Sequence, residues 1–160
     1  MIELDYQLGF PYPSGVIFAV LANVADYPVW QSDVLAARVH GGGPARPGAE
    51  MSVVRKVLGR SEYLRMYVNE FERDRGLTLK TVMDGWPQLT HAFRLKPAVT
   101  PGCCWLSLRV TLAGVPSLAE PLAEASLLYR VIDAFDGLRS YLAHAYVELP
   151  GREQPTGKAS

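Results

Sequence analysis

The last apolar pattern in the chain constrains it most. Leu128, Val131, Ile132, Phe135, Leu138, Leu142 and Ala145 recur at three- and four-residue steps, the period of one helix face. Pro116-Ser117 opens this stretch and it runs to about Val147. Nearly everything before it reads as extended chain. Ile2, Leu4, Tyr6 and Leu8 alternate with polar residues, the period of a half-buried strand. Further strands are expected at about 33–40, 49–58, 61–73, 77–84, 88–96 and 103–113, joined by short Gly- and Pro-containing turns suited to antiparallel hairpins. Between the first strand and the rest, Ser14 is placed to cap a helix from Gly15 to about Asn23, and Asp26-Tyr27-Pro28-Val29-Trp30 reads as a second helical turn with Asp26 as its cap. One sheet must cover one face, and the terminal helix is the only element long enough to do so. The expected fold is therefore α+β, with a curved antiparallel sheet of about seven strands around a long C-terminal helix. A sheet that grips a helix encloses space along it, a candidate ligand cavity.

The chain has 160 residues, enough for one domain over 1–149 with a mobile tail at 150–160. Sixteen Lys and Arg balance 16 Asp and Glu, which removes the main electrostatic reason to expect a nucleic-acid partner. The longest wholly apolar run, Val16 to Ala22, is too short to span a bilayer, and Met1-Ile2-Glu3-Leu4-Asp5 lacks the pattern of a signal peptide. A cytoplasmic protein without membrane insertion, monomeric or homodimeric, is the expectation. Cys103 and Cys104 are adjacent, which disfavours a disulfide between them. His40, His91 and His144 fall in no metal-ligand spacing, so neither metal nor cofactor is expected. Gly41-Gly42-Gly43 lacks the ending of a phosphate loop and reads as a turn, and no Ser sits in a GxSxG context.

Several segments resemble a known group. Val16 through Trp30 (VIFAVLANVADYPVW) is similar to the opening of the polyketide cyclase/dehydrase branch of the SRPBCC superfamily, whose members share the START and Bet v 1-like helix-grip fold. Val68-Asn69-Glu70-Phe71-Glu72 resembles the end of that family's fourth strand, and His91 through Pro97 followed by Gly102 through Leu106 resembles its last hairpin. Cys103 and Cys104 depart from the Gly-Gly-Thr-Arg turn more usual there. The resemblance covers roughly residues 10–147. It implies the helix-grip fold and a hydrophobic small-molecule ligand, but not which activity, because the superfamily has no shared catalytic signature.

Strand alternation sorts the side chains that could carry chemistry. His91 falls on an apolar face with Leu89, Phe93 and Leu95. There an imidazole either serves as general acid or base or is a half-buried histidine bonded to backbone or water. Glu62 falls at the end of the apolar set Leu64, Met66 and Val68, as a base with a raised pKa or as a solvated strand-end carboxylate. Arg55 either polarises a substrate carbonyl or pairs with Glu62 across the strands. Trp30, Tyr27, Met66, Met83, Trp86, Phe93, Leu108, Leu128, Ile132 and Phe135 are expected to line or rim the cavity, with Trp86 in its Gly-Trp-Pro turn as an entrance gate. Two functions fit. One is a cyclase of lyase type that folds a polyketide-like chain and closes a ring, with or without loss of water. The other is a non-catalytic carrier or resistance protein for a lipid, quinone or natural product.

Overall fold

The computed structural model describes residues 1–82 and 87–148. The chain runs through β1 (Ile2–Phe10), α1 (Ser14–Ala22), a 3-10 turn (Val24–Asp26) and α2 (Tyr27–Trp30). Six strands follow: β2 (Val34–Val39), β3 (Glu50–Val57), β4 (Arg60–Glu72), β5 (Gly76–Thr81), β6 (Gln88–Pro97) and β7 (Cys104–Ala113). A second 3-10 turn (Ser117–Ala119) leads into α3 (Glu120–Glu148). The strands form one 7-stranded sheet in the order β1-β7-β6-β5-β4-β3-β2. Every ladder is antiparallel, and β1 closes one edge by pairing along β7 from Ile2↔Leu112 to Phe10↔Cys104. No helix among the described residues is long and apolar enough to cross a membrane.

Alternation decides which face is concave. Leu64, Met66 and Val68 of β4, with Cys104, Leu106, Leu108, Val110 and Leu112 of β7, are buried, as their parity predicts. The pattern inverts in β2, where the register shifts between Val34 and Ala36, and again in β4. A register shift between Val68 and Glu70 leaves Asn69 as an extra residue, and beyond this bulge it is odd-numbered Phe71 that turns inward, edge-on to Phe18 of α1 at 5.3 Å. Gly41, Gly42 and Gly43 make the turn after β2 with φ of 88°, 79° and 77°, a conformation that only glycine adopts without strain.

The helix caps differ from expectation. Pro13, extended at φ −70° and ψ 157°, holds the position before α1, and no side chain caps that end. Ser14 instead bonds the Cys104 side chain. Asp26 does not cap α2; its carboxylate accepts bonds from Asn23 Nδ2 at 3.1 Å and Tyr141 Oη at 2.9 Å.

That second bond belongs to the seam that orients α3. Asp133 accepts from Ser32, Gly137 lies against Trp30, and Tyr141 reaches Asp26, a stripe at four-residue spacing turned toward the α1–α2 segment. At Gly137 the approach is so close that a Cβ would sit 2.0 Å from the Trp30 carbonyl oxygen. The helix is continuous there, so Gly137 provides close contact rather than a bend. Leu128 lies about 180° around the helix from Gly137 and Ile132 about 140°, which carries both to the outer face, 38% and 36% exposed. The buried face is Ala123, Val131, Ala134, Phe135, Leu138 and Leu142. Leu128 and Ile132 are therefore not cavity residues.

Candidate functional site

Polar side chains are scarce on the concave side, and those present gather at one place. Arg55 of β3 and His91 of β6 are buried, 6% and 8% exposed, and both line one cleft under α3. In the sheet they are separated by β4 and β5, some ~14 Å in a flat sheet; the curl of the strands brings them to a common space. Val110 and Leu108 of β7 form the floor, and Leu127, Val131 and Ala134 of α3 form the roof. Gln31 and Asp33, from the segment between α2 and β2, complete the inner end.

The guanidinium of Arg55 is held on two sides. Nη1 donates to Asp33 Oδ2 at 2.9 Å and Nη2 to Gln31 Oε1 at 3.2 Å. Asp33 is itself only 6% exposed, so the cation and anion are desolvated together and the inner end is close to neutral, as a stable buried pair requires. One donor remains: Arg55 Nε–H is buried and has no acceptor among the described residues. An unpaired N–H of this kind is costly unless a ligand or water meets it. The backbone fixes the pair, because Val34 stands opposite Arg55 and Lys56 N donates to Asp33 O at 2.8 Å.

His91 faces the same space. Its ring nitrogens make no hydrogen bond to protein among the described residues, and burial, reinforced by the charge of Arg55, holds its pKa well below the usual histidine value. The imidazole is neutral at physiological pH, with a free lone pair.

Glu62 is directly opposite Arg55 on β4, yet among the described residues it makes no ion pair, and it does not line the cleft. The expected Arg55–Glu62 pair is replaced by Arg55–Asp33. Of the expected lining residues, Leu108 is in the cleft. Met66, Phe93, Tyr27, Trp30 and Phe135 are core. Tyr27 donates its hydroxyl to Leu21 O at 2.6 Å, and burial drives its pKa up; Trp30 stacks edge-on to it at 5.4 Å; Phe135 packs against Tyr6 at 4.9 Å. Met83 and Trp86 lie outside the described residues. Gln31 and Asp33 were not foreseen: a polar run between a helix and a strand reads as a loop, and only the register of β2 on β3 reveals what Asp33 faces.

The cleft is narrow, about 40 Å³. A water molecule occupies about 30 Å³ of liquid, whereas small-molecule sites hold about 300–1,000 Å³. The roomy gap expected from the sequence is thus nearly closed by Leu127, Val131 and Leu108, although the cleft opens at a mouth bordered by Leu58, Ser126 and Arg130. Among the described residues no cluster of His, Cys, Asp or Glu could hold a metal ion.

No family model and no curated protein matches the sequence. Solved structures do. The Zhui aromatase/cyclase from Streptomyces sp. R1128 superposes with TM-score 0.74 at 10% identity, covering 95% of this chain and 99% of its own. A START superfamily protein from Mycobacterium smegmatis gives TM-score 0.69 at 14% identity, covering 88% and 98%. A major latex-like protein from Panax ginseng gives TM-score 0.64 at 12% identity, covering 87% and 95%. The chain has the helix-grip fold of the START/Bet v 1-like SRPBCC superfamily. At these identities the likeness concerns the fold, and the chemistry has to be argued from the helix-grip cleft itself.

Proposed function

We propose that this helix-grip protein binds a hydrophobic, polyketide-like molecule in the cleft under α3 and promotes closure of a ring. The observation that carries the reading is the pairing of a neutral, unbonded imidazole with an unpaired guanidinium N–H at the blind end of an apolar cleft. A chain of alternating ketones needs these two things: a base for an acidic C–H, and a donor for the oxygen that becomes negative.

In this reading His91 removes a proton from a carbon between two carbonyls. Arg55 Nε–H bonds the enolate oxygen as charge develops there. The carbanion attacks a ketone further along the same chain, one C–C bond forms, and the new alkoxide takes the proton back from the imidazolium. Loss of water from the β-hydroxy ketone completes an aromatic ring where the substrate permits it. The low proton affinity of His91 in the empty cleft is offset when an enolate stands beside it, because the imidazolium then has a counter-charge. The apolar roof and floor hold the chain folded, a positioning effect worth several kcal/mol. A ligand of this size requires the cleft to widen.

The near-closed cleft, with His91 its single proton acceptor among the described residues apart from the ion-paired Asp33, favours a second reading, a binding protein without chemistry. The two are separated by offering purified protein a linear poly-β-ketone thioester mimic. The enzyme reading expects cyclised product and a loss of about 10²–10⁴ in rate for His91→Gln, with binding retained. Binding with no product above the uncatalysed background would establish the carrier.

A further inference from the structure

The cleft has two electrostatic zones. At the inner end Asp33 cancels Arg55, and the Arg55 Nε–H is a donor without an acceptor among the described residues. A ligand's permanent negative charge placed there, with no imidazolium formed beside it, would face the Asp33 carboxylate across the guanidinium. An uncharged carbonyl oxygen fills the vacancy without that conflict. The mouth is different. Arg130 of α3 borders it, half-buried, and it makes no ion pair or hydrogen bond among the described residues. The nearest acid along its own helix face, Asp133, is bonded by Ser32. Lys56, next after Arg55 on β3, is exposed and also borders the cleft, where it adds to the same positive field. Ser126, one turn before Arg130, offers a hydroxyl on the same rim.

We propose that the molecule bound in this cleft is an anionic amphiphile, inserted with an uncharged carbonyl toward Arg55 and with its carboxylate or phosphate left at the mouth on Arg130. This rests on the cleft being the ligand site. It adds the polarity of insertion and the charge of the ligand. A half-buried guanidinium with its donors unmet is suited to a planar or tetrahedral oxyanion, and the anion at the rim keeps most of its hydration. Discrimination therefore arises at the rim while the apolar body supplies the burial.

The test uses the full chain and three probes that share one body: 6-acetyl-2-naphthoate, its methyl ester, and 6-acetyl-2-naphthyl phosphate. Binding is followed by naphthalene fluorescence at low ionic strength. The wild type is expected to bind the carboxylate or the phosphate about tenfold more tightly than the ester, equal to ~1.4 kcal/mol, and whichever anion binds more tightly identifies the head group. Arg130→Gln should bring acid and ester to the same affinity while the ester's own affinity stays within about twofold. Arg130→Lys should keep most of the preference, and added salt should erode it. Equal binding of acid and ester by the wild type overturns the proposal, as does a preference that survives in Arg130→Gln. If none of the probes binds, ester included, the cleft itself is not a ligand site and the reading on which the proposal rests falls with it.

Discussion

Arg55 and Glu62 stand opposite one another across the β3–β4 ladder, yet the guanidinium turns away to Asp33, 2.9 Å distant on a segment that precedes β2. Both members of the chosen pair are buried, so each depends on the other far more than a surface pair does. Asp33→Ala should cost about 3–5 kcal/mol in urea denaturation, because it strands a desolvated cation. Glu62→Gln should change stability by less than about 0.5 kcal/mol. Comparable losses from the two substitutions would contradict the pairing.

Helix propensity alone would make Gly137→Ala stabilising by up to about 1 kcal/mol. The structure gives the opposite sign. A methyl group 2.0 Å from the Trp30 carbonyl oxygen forces α3 away from α2, and overpacking of this kind costs about 1–3 kcal/mol. Thermal unfolding of the single variant decides it; an increase in Tm would show that the helix yields freely.

The phase of α3 is open to the same kind of measurement. Leu128→Gln and Ile132→Gln should each be nearly neutral in a chemical denaturation series, within about 0.5 kcal/mol, since both side chains lie outside. Leu138→Ala, at a fully buried position, should lose about 2–5 kcal/mol. Losses at Leu128 and Ile132 as large as that at Leu138 would restore the helix face read from the sequence, which held all three.

His91 predicts a pH dependence. Its folded pKa lies well below the unfolded value of about 6.5, so below that pH the unfolded chain binds a proton that the folded protein refuses. The contribution is fully present above about pH 6.5 and is lost as pH falls, with a slope of at most about 1.4 kcal/mol per pH unit. Denaturation midpoints between pH 5 and 8 should fall on the acid side for the wild type. His91→Gln should flatten that limb by about one proton; an unchanged slope would mean that His91 is already charged in the fold.

Much of this architecture was legible in residue order. Alternation in β4, β6 and β7 placed His91 and Leu108 correctly because a strand with one buried face has little freedom of register. The site was less legible, for reasons that can be named. Two apolar stripes share α3, and sequence alone does not say which one the Trp30–Gly137 contact turns inward. The partner of Arg55 depended on a segment whose pairing is set by a bulge in β2, where the register shifts between Val34 and Ala36. Burial was overestimated as lining: Tyr27, Phe93 and Phe135 are aromatic and inward, but they pack against Trp30, His91 and Tyr6 respectively within the core.

The contact between Gly137 and the Trp30 backbone also bears on how anything enters. The terminal helix is pinned there, with side-chain ties from Asp133 to Ser32 and from Tyr141 to Asp26 on either side. At its other end Glu120 accepts from the Met1 ammonium, which immediately precedes β1, at 2.9 Å in a solvent-exposed ion pair. The helix is thus tied at both ends, and the exposed ion pair at Glu120 is the weaker tie. Widening the cleft would therefore break the Met1–Glu120 pair before the Trp30 contact, parting Leu127 and Val131 from the floor while Arg55 and His91, on the sheet, keep their places.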